Sequence, residues 1–238
     1  MNLLALDTSS DACSVAMQIG DDVLERHIVQ PKEHTNLLIS MIRDLRDEAS
    51  ITLEKLDAIV LGNGPGSFIG MRIAASVAQG LAFGSGLKIV PVSSMAAVAA
   101  EVMDTHSATD VVVAQDARMN EVYLGIYRSD AGGSLVAEAD ELIQAIEPIS
   151  ELCETSKSGF HAAGYGWKKY PSLLELNRAS VSQVVDVYYP NAKYLLSLGA
   201  RACSNGELVE PENLLPAYIR MKVAEKPREA DSVLRKTE

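Results

Sequence analysis

A glycine-rich turn is the part of the sequence best suited to hold an anion. The segment Gly62-Asn63-Gly64-Pro65-Gly66 joins a short apolar run to a predicted helix that begins near Ser67. Glycines let a backbone approach a ligand closely, and the free N–H groups at the start of a helix attract negative charge. The spacing matches neither GxGxxG, nor a Walker loop, nor a nucleophile elbow. Two interpretations stay open: a phosphate cradle with contacts from Gly64, Gly66 and Ser67, or a structural turn.

A second polar segment, Asp7-Thr8-Ser9-Ser10, follows an apolar run that is typical of a strand. An aspartate in this position can hold a water on Mg²⁺ while hydroxyl and N–H groups face a phosphate. The alternative is that the same side chains only satisfy the N–H groups of a turn, and for this stretch alone we favour it. The nearby glycine turn strengthens the nucleotide hypothesis, in which Asp7, Thr8 and Ser9 would be contacts.

The cysteines and histidines predict neither disulfides nor a metal site. Cys13, Cys153 and Cys203 are far apart and odd in number, which favours a reducing compartment. His34 lies near the start of a predicted helix, but Leu38 occupies the position one turn later where a second metal ligand would lie. We therefore expect no bound transition metal and no catalytic residue.

The net charge argues against a free-standing nucleic-acid binder. The chain has 21 Lys and Arg residues against 32 Asp and Glu, a formal net charge of -11, whereas binding to a phosphate backbone needs a basic surface. The segment 220–238 is an exception, with six basic residues against four acidic ones. We expect any nucleic-acid contact at this tail or through a partner. The tail itself, from Tyr218 onward, is predicted to be a solvated, peripheral terminal helix.

No segment of the sequence predicts a membrane span or a secretory signal. Met1 leads directly into a strand-like run without a basic region or a cleavage site, and the most apolar segment, 68–83, contains Arg72 and is too short to span a bilayer. We expect a cytoplasmic protein that does not contact membranes.

Strands and helices alternate along the chain in a pattern that starts twice. An apolar strand that ends in Asp, a turn and a second strand occur at 3–19 and again at 110–127. The pattern predicts an α/β protein of two related lobes, 1–104 and 105–238, with the helix at 191–204 as a candidate to pack back on the first lobe. Other predicted elements are strands at 24–29, 57–61, 88–92 and 159–164, and helices at 38–45, 67–83, 95–103 (capped by Ser93 or Ser94) and 138–146.

The predicted helix at 67–83 is apolar around most of its circumference. We assign Ile69, Ile73, Val77 and Leu81 to the core, which leaves a second apolar face of Phe68, Met71, Ala75, Ala78 and Ala82. A surface helix of a monomer normally has a polar face. Either both faces are buried within the lobe, or the second face is a subunit interface.

Five groups of residues together form a distinctive set of motifs. They are the strand and turn at 3–9 with 13–16, His34-Thr35 with Leu37-Leu38, the strand and glycine turn at 57–68, Asp116-Ala117-Arg118-Met119-Asn120-Glu121-Val122-Tyr123, and Pro216-Ala217-Tyr218-Ile219-Arg220. Taken together, they resemble the bacterial TsaB (YeaZ) family. The resemblance implies an actin-like, Hsp70-like ATPase (ASKHA) fold, each lobe a mixed sheet with flanking helices. One departure is Ile69, where the family usually has Thr.

The resemblance also implies a function in forming N6-threonylcarbamoyladenosine (t6A) at position 37 of ANN-decoding tRNAs. In this family the paralogue TsaD transfers the threonylcarbamoyl group, and TsaB is a non-catalytic subunit that organises TsaD together with the ATPase TsaE. TsaD carries two metal-binding histidines on its first helix, and Leu38 stands in place of the second. The resemblance then implies that the chain requires no cofactor, and that ATP or ADP could bind at the interface of the complex. It also implies that the chain contacts tRNA only through the complex. An active ASKHA-type ATPase or kinase and, less favoured, a peptidase remain alternatives.

We expect the first two helices to form the surface that binds TsaD. When TsaD is absent, the same surface is expected to bind a second copy of the chain. Two such helices can meet two helices of a paralogue in a four-helix packing. The pattern predicts that Met71→Asp or Ala75→Glu abolishes both associations without unfolding the chain. The predicted contacts are Leu37, Met41, Phe68, Met71, Arg72, Ala75, Ala78 and Gln79.

Overall fold

Two mixed β-sheets organise the chain, which the computed structural model describes over residues 1–152 and 159–219. The first sheet has the order β3-β2-β1-β4-β5. Its first three strands are antiparallel, and β4 and β5 continue parallel to β1. The strands are β1 (Leu3–Asp7), β2 (Ala12–Ile19), β3 (Asp22–Val29), β4 (Ala58–Gly62) and β5 (Ile89–Val92).

The second sheet repeats this topology around its own central strand. Strand β6 has antiparallel β7 on one side and parallel β10 and β11 on the other, while β8 and β9 both pair with β7. The repeat confirms the prediction of two related α/β lobes. The strands are β6 (Asp110–Arg118), β7 (Glu121–Ser129), β8 (Leu135–Ala137), β9 (Leu142–Ala145), β10 (Phe160–Ala163) and β11 (Val181–Val184).

Six α-helices cover the sheets within the described residues. They are α1 (His34–Glu48), α2 (Phe68–Ser85), α3 (Ser94–His106), α4 (Tyr165–Lys169), α5 (Pro171–Asn177) and α6 (Ala192–Ser204). Of these helices, none is long and apolar enough to cross a membrane. Helices α1 and α2 pack on one face of the first sheet, where Leu38, Ile42 and Leu45 of α1 are buried together with Met41.

The inner face of each sheet is covered by a helix from the other half of the chain. Helix α3 follows the first sheet in sequence, but its Met95 and Val98 pack against Val111 and Val113 of the second sheet. Helix α6 follows the second sheet, but its apolar side packs on Leu3, Ala5 and Val60 of the first. Because α3 and α6 also contact each other, they form a double layer between the two sheets.

The helix predicted at 138–146 is wrong, because residues 142–145 form strand β9. Leu142 and Ile143 pair with Leu124 and Tyr123 of β7, beyond the part of β7 that pairs with β8. Unpaired backbone groups of β7 would be costly there, so pairing with the existing sheet overrides the local helix preference. The tail at 220–238, including its predicted helix, lies outside the described residues, as does Cys153.

The inward face of α2 differs from the prediction. Met71, Ala75 and Ala78, which were assigned to the second face, are buried against the first sheet together with Ala74 and Ala82. Of the residues assigned to the core, Ile69 is 70% exposed, whereas Ile73, Val77 and Leu81 are half-buried and pack against the same core. Phe83 is 82% exposed. Small side chains let the helix axis lie close to the sheet, so the alanine face points most directly inward. Substituting Met71→Asp or Ala75→Glu would therefore place a carboxylate in the core, and we expect unfolding instead of a selective loss of binding.

The close approach of α6 to the first sheet yields a stability prediction with a matched control. A Cβ at Gly199 would lie 2.4 Å from Cγ2 of Val60, whereas a Cβ at Gly80 of α2 meets nothing within 4 Å. We expect Gly199→Ala to lower the free energy of unfolding by about 1–3 kcal/mol through overpacking. Gly80→Ala should raise it by roughly 0.5–1 kcal/mol, because alanine loses less entropy in a helix. Urea denaturation of both variants measures the difference, and equal effects at the two sites would contradict it.

Candidate functional site

The two predicted phosphate-binding segments meet at the carboxyl end of β1. The Asp7 carboxylate is fully buried. Its Oδ1 accepts hydrogen bonds from the backbone N and the Oγ of Ser9, both at 2.8 Å, and its Oδ2 accepts one from Oγ of Ser94 at 2.5 Å. Ser94 Oγ in turn accepts a hydrogen bond from the N–H of Gly64 at 2.9 Å. Asp7 of the first strand is therefore connected to Gly64 of the glycine turn through the hydroxyl group of Ser94.

The glycines of the turn are required by the protein's own backbone. A Cβ at Gly66 would lie 2.2 Å from the carbonyl oxygen of Ser9, and one at Gly70 would lie 1.9 Å from that of Thr8. Two hydrogen bonds hold the segments at this distance: the Ser67 N–H donates to Ser9 O at 2.6 Å, and Thr8 Oγ1 donates to Gly70 O at 2.7 Å. No side chain larger than hydrogen fits between these segments without a shift.

The donors that a phosphate would use at Asp7, Thr8 and Ser9 are engaged inside the protein. These three residues are at most 4% exposed, so the geometry fits the structural alternative better than a phosphate cradle. Gly66 is half-buried and Ser67 is exposed, although Oγ of Ser67 caps α2 by accepting the Gly70 N–H at 3.2 Å. Nucleotide contact by this group and by Gly64 stays a prediction.

His34 holds a turn of the first sheet. It is buried, and its Nε2 lies 2.9 Å from the carbonyl oxygen of Ser10. Leu38, one turn later, is a core residue with no exposed surface. Within residues 1–152 and 159–219, no group of three or more His, Cys, Asp or Glu side chains is arranged to hold a metal ion.

A second carboxyl group, the half-buried Glu141, was missed by the sequence reasoning, which placed it in a helix. Its Oε1 accepts hydrogen bonds from Oγ of Ser93 and from the hydroxyl of Tyr127. Burial raises the pKa of Glu141, and it also raises the pKa of Tyr127, with a further contribution from the Glu141 charge. The sequence feature that could have pointed to this contact is the pair Ser93-Ser94 after β5, which the sequence analysis interpreted only as a helix cap.

Asp116 occupies in the second sheet the position that Asp7 occupies in the first. Its carboxylate pairs with Nζ of Lys169 at 2.6 Å and accepts hydrogen bonds from the Tyr170 hydroxyl at 2.8 Å and the Arg118 N–H at 2.9 Å. Burial alone would raise the pKa of Asp116, but these contacts lower it below its ordinary value. The second lobe therefore holds an ionised aspartate in an ion pair, in contrast to the fully buried Asp7.

The outer side of α2 carries an aromatic and cationic cluster. The Arg72 guanidinium lies 3.7 Å from the centroid of the Phe68 ring, and its Nε donates to the Tyr218 hydroxyl at 2.9 Å. Tyr218 also packs on Phe68 with ring centroids 5.5 Å apart, and Ile219 packs against the inner core of the second lobe. The start of the predicted peripheral tail therefore contacts both lobes, although Tyr218 remains 40% exposed.

The predicted partner contacts separate into surface and interior residues. Phe68 is half-buried and Arg72 is exposed, and half-buried Gln79 donates from Nε2 to the carbonyl oxygen of Pro211 at 2.8 Å. Leu37 is half-buried, whereas Met41 is in the core with Met71, Ala75 and Ala78. The outward apolar residues that the sequence reasoning missed here are Ile69 and Phe83. Together with Phe68, Arg72 and half-buried Ile73 they form what we call the α2 outer face.

Comparisons with known proteins agree over nearly the whole chain. The family model described as TsaD, tRNA N6-adenosine threonylcarbamoyltransferase, matches residues 28–227. The tRNA threonylcarbamoyladenosine biosynthesis protein TsaB of Haemophilus influenzae is 33% identical, covering 94% of this chain and 95% of that protein. The protein of the same description from Escherichia coli is also 33% identical, covering 94% and 96%.

Solved structures show the same similarity. The structure of YeaZ from Pseudomonas aeruginosa superposes with a TM-score of 0.84 at 38% identity, covering 91% of this chain and 99% of that one. A second structure from Pseudomonas aeruginosa, described as an uncharacterized protein with similarity to peptidase YEAZ, gives a TM-score of 0.85 at 38% identity, with 92% and 99% covered.

The buried Asp7 carboxyl group yields a prediction on pH dependence. Burial raises its pKa above the ordinary value of 3.8, although hydrogen bonds from Ser94 and Ser9 act in the opposite direction. A carboxyl whose pKa is higher in the folded state stabilises the fold fully below its unfolded pKa, and this contribution is lost as the pH rises through the folded pKa. We expect Asp7→Asn to gain stability relative to the unmodified chain as the pH increases from about 4 to about 7.

Urea denaturation across this pH range measures that difference. Asp110→Asn, at a half-buried aspartate paired with Arg128, is the control for a general effect of removing one carboxylate. A relative loss of stability of Asp7→Asn with rising pH would show that the Asp7 carboxylate is better stabilised in the folded than in the unfolded chain.

Proposed function

Because the chain belongs to the TsaB (YeaZ) family of tRNA threonylcarbamoyladenosine biosynthesis proteins, we propose that it is the non-catalytic subunit that binds and organises TsaD. TsaD would transfer the threonylcarbamoyl group to adenosine 37 of ANN-decoding tRNAs, with the ATPase TsaE as third component. This chain would meet tRNA only through the complex. Since its proposed substrate is tRNA, we also propose that the complex acts in the cytoplasm.

The observation that carries the proposal is the apolar α2 outer face. Helix α2 already fills the core with its alanine side, yet Ile69 and Phe83, about four turns apart, remain 70% and 82% exposed. Large apolar side chains left in solvent along one helix face are typical of an interaction site. The adjoining Phe68, Arg72 and Tyr218 belong to the residue types that dominate binding energies.

The neighbouring helix α1 widens this surface. It packs beside α2, with Leu37 half-buried and Ile39 43% exposed. Two adjacent helices suit a four-helix packing with the corresponding helices of TsaD, or with a second copy of this chain when TsaD is absent. The proposed contacts are Leu37, Phe68, Ile69, Arg72, Ile73, Gln79 and Phe83. Compared with the contacts predicted from the sequence, this set omits the buried Met41, Met71, Ala75 and Ala78 and adds Ile69, Ile73 and Phe83.

The contacts of the residues at the predicted nucleotide site support the proposal that this subunit has no enzymatic activity of its own. An ATPase or kinase that used Asp7 would need this carboxylate to reach a metal-bound water, but it is fully buried and bonded to Ser9 and Ser94. His34 contacts the Ser10 carbonyl, and Leu38 replaces the second histidine of TsaD. We therefore propose that the chain requires no cofactor, and that any ATP or ADP binds where it meets its partners.

The first test concerns TsaD binding. Ile69→Asp and Phe83→Asp place a carboxylate in the proposed interface, where its desolvation is costly, and we expect each to weaken TsaD binding at least ~30-fold, or about 2 kcal/mol. Isothermal titration calorimetry gives the affinities, and circular dichroism checks the fold, which should persist because both sites are exposed. Leu176→Asp, at a leucine of α5 that is 48% exposed, is the matched control. Unchanged affinity of both α2 variants would place the interface elsewhere.

The second test concerns self-association. We expect the chain alone to sediment as a dimer at micromolar concentrations, and Ile69→Asp to sediment as a monomer because the same helices pair in both associations. Analytical ultracentrifugation distinguishes the two species. A dimer that persists in Ile69→Asp, while TsaD binding is lost, would assign the two associations to different surfaces.

A further inference from the structure

The chain crosses from the first sheet to the second at two adjacent serines. Strand β5 ends at Val92, and α3, which packs on the second sheet, begins at Ser94 with Ser93 as its N-cap. We call Ser93 and Ser94 the serine joint. Each of these two residues donates to a carboxyl group, Ser94 to the buried Asp7 and Ser93 to the half-buried Glu141, and the two carboxyl groups belong to different lobes.

Ser94 attaches the start of α3 to the first sheet by three hydrogen bonds. Its Oγ donates to Asp7 of β1 at 2.5 Å and accepts the Gly64 N–H at 2.9 Å, and its backbone N–H donates to Gly64 O at 2.8 Å. Because Asp7 also binds Ser9, whose carbonyl oxygen accepts the Ser67 N–H, the start of α2 is connected to the same group.

Ser93 attaches the same helix end to the second lobe. Its Oγ donates to Glu141, which precedes β9, and the Tyr127 hydroxyl of β7 donates to the same carboxyl oxygen. The Ser93 Oγ also accepts the N–H groups of Met95 at 3.1 Å and Ala96 at 3.0 Å. A hydroxyl group offers one donor and two acceptor sites, so the full capacity of Ser93 is used.

We infer that the serine joint fixes the angle between the two sheets, with Ser94 holding the first lobe and Ser93 the second. The apolar contacts of α3 and α6 between the lobes are not directional, so they permit small sliding movements. The hydrogen bonds of the two serines are directional, and those of the Ser94 hydroxyl are buried while those of the Ser93 hydroxyl are partly buried, so that a lost partner is costly. Removal of either hydroxyl should therefore release the angle without dissolving the lobes, and the start of α2 should move relative to the second sheet.

Distances between spin labels on the outer helices of the two lobes test this inference in the isolated chain. Asp44→Cys in α1 and Glu175→Cys in α5 are exposed labelling sites on opposite sides of the molecule. Cys153→Ser and Cys203→Ser remove competing thiols, while Cys13 stays because it is buried, which raises the pKa of its thiol to about 12. Dilution with unlabelled chain restricts double electron–electron resonance to distances within one molecule.

We expect one narrow distance distribution in the otherwise unmodified chain and a distribution at least about twofold wider, or displaced by several Å, in Ser93→Ala and in Ser94→Ala. Ser204→Ala on α6, whose Oγ donates to the Ala200 carbonyl within the helix, is the control and should leave the distribution unchanged. Ser93→Thr keeps the hydroxyl group and should restore the narrow distribution.

Distributions identical to that of the unmodified chain in both alanine variants, with native circular dichroism, would overturn the inference. If the alanine variants do not fold, Glu141→Ala decides the question, because it removes the second-lobe carboxyl group and leaves the cap of α3 intact. A narrow, unshifted distribution in Glu141→Ala would likewise overturn it. Since no partner is present in the experiment, the result is independent of TsaD binding.

Discussion

The burial of one carboxyl group, Asp7, constrains the arrangement of the elements around it. Three donors converge on this group from its own turn and from the start of α3, and the glycine turn is held against the same strand end. A buried carboxyl group without these donors would cost several kcal/mol, so the surrounding segments cannot move independently. Asp7, Thr8 and Ser9, which would lie at a phosphate site in an enzyme, form hydrogen bonds within the protein here.

The composition of α2 follows from its position between a core and a proposed partner. The side toward the sheet consists mostly of small residues such as Gly70, Ala74 and Ala78, which permit close packing, whereas Ile69 and Phe83 are exposed on the outer side. In an isolated monomer this arrangement would be unfavourable, because Phe83 and Ile69 gain nothing from exposure to water. It becomes favourable when a second apolar surface covers them.

Much of the fold could be predicted from local patterns, and the failures have identifiable physical causes. The apolar run of β1, the alternation of apolar residues in β2 and the apolar stripe of α1 are local patterns, which the sequence displays directly. The orientation of α2 depends on how closely the helix approaches the sheet. Because both of its faces are apolar, the periodicity of apolar residues does not identify the face that points inward. Strand β9 depends on the free edge of β7, and the pairing of Ser93 with Glu141 joins residues far apart in sequence. Such long-range contacts leave no local signature. The sequence therefore indicates the turn of Asp7 and Ser9, but it does not indicate Ser94 as a donor to Asp7.

The exchange of helices between the lobes bears on how the chain folds during its synthesis. Translation delivers the strands of the first sheet early, but the helix that covers their inner face, α6, is complete only at Ser204. Until the ribosome has produced most of the chain, Leu3, Ala5 and Val60 would remain in contact with water, and the nascent N-terminal half would be prone to aggregate or to recruit a chaperone. For the same reason a genetic split between the two lobes should not yield two stable fragments, whereas co-expressed halves could complement each other by exchanging α3 and α6.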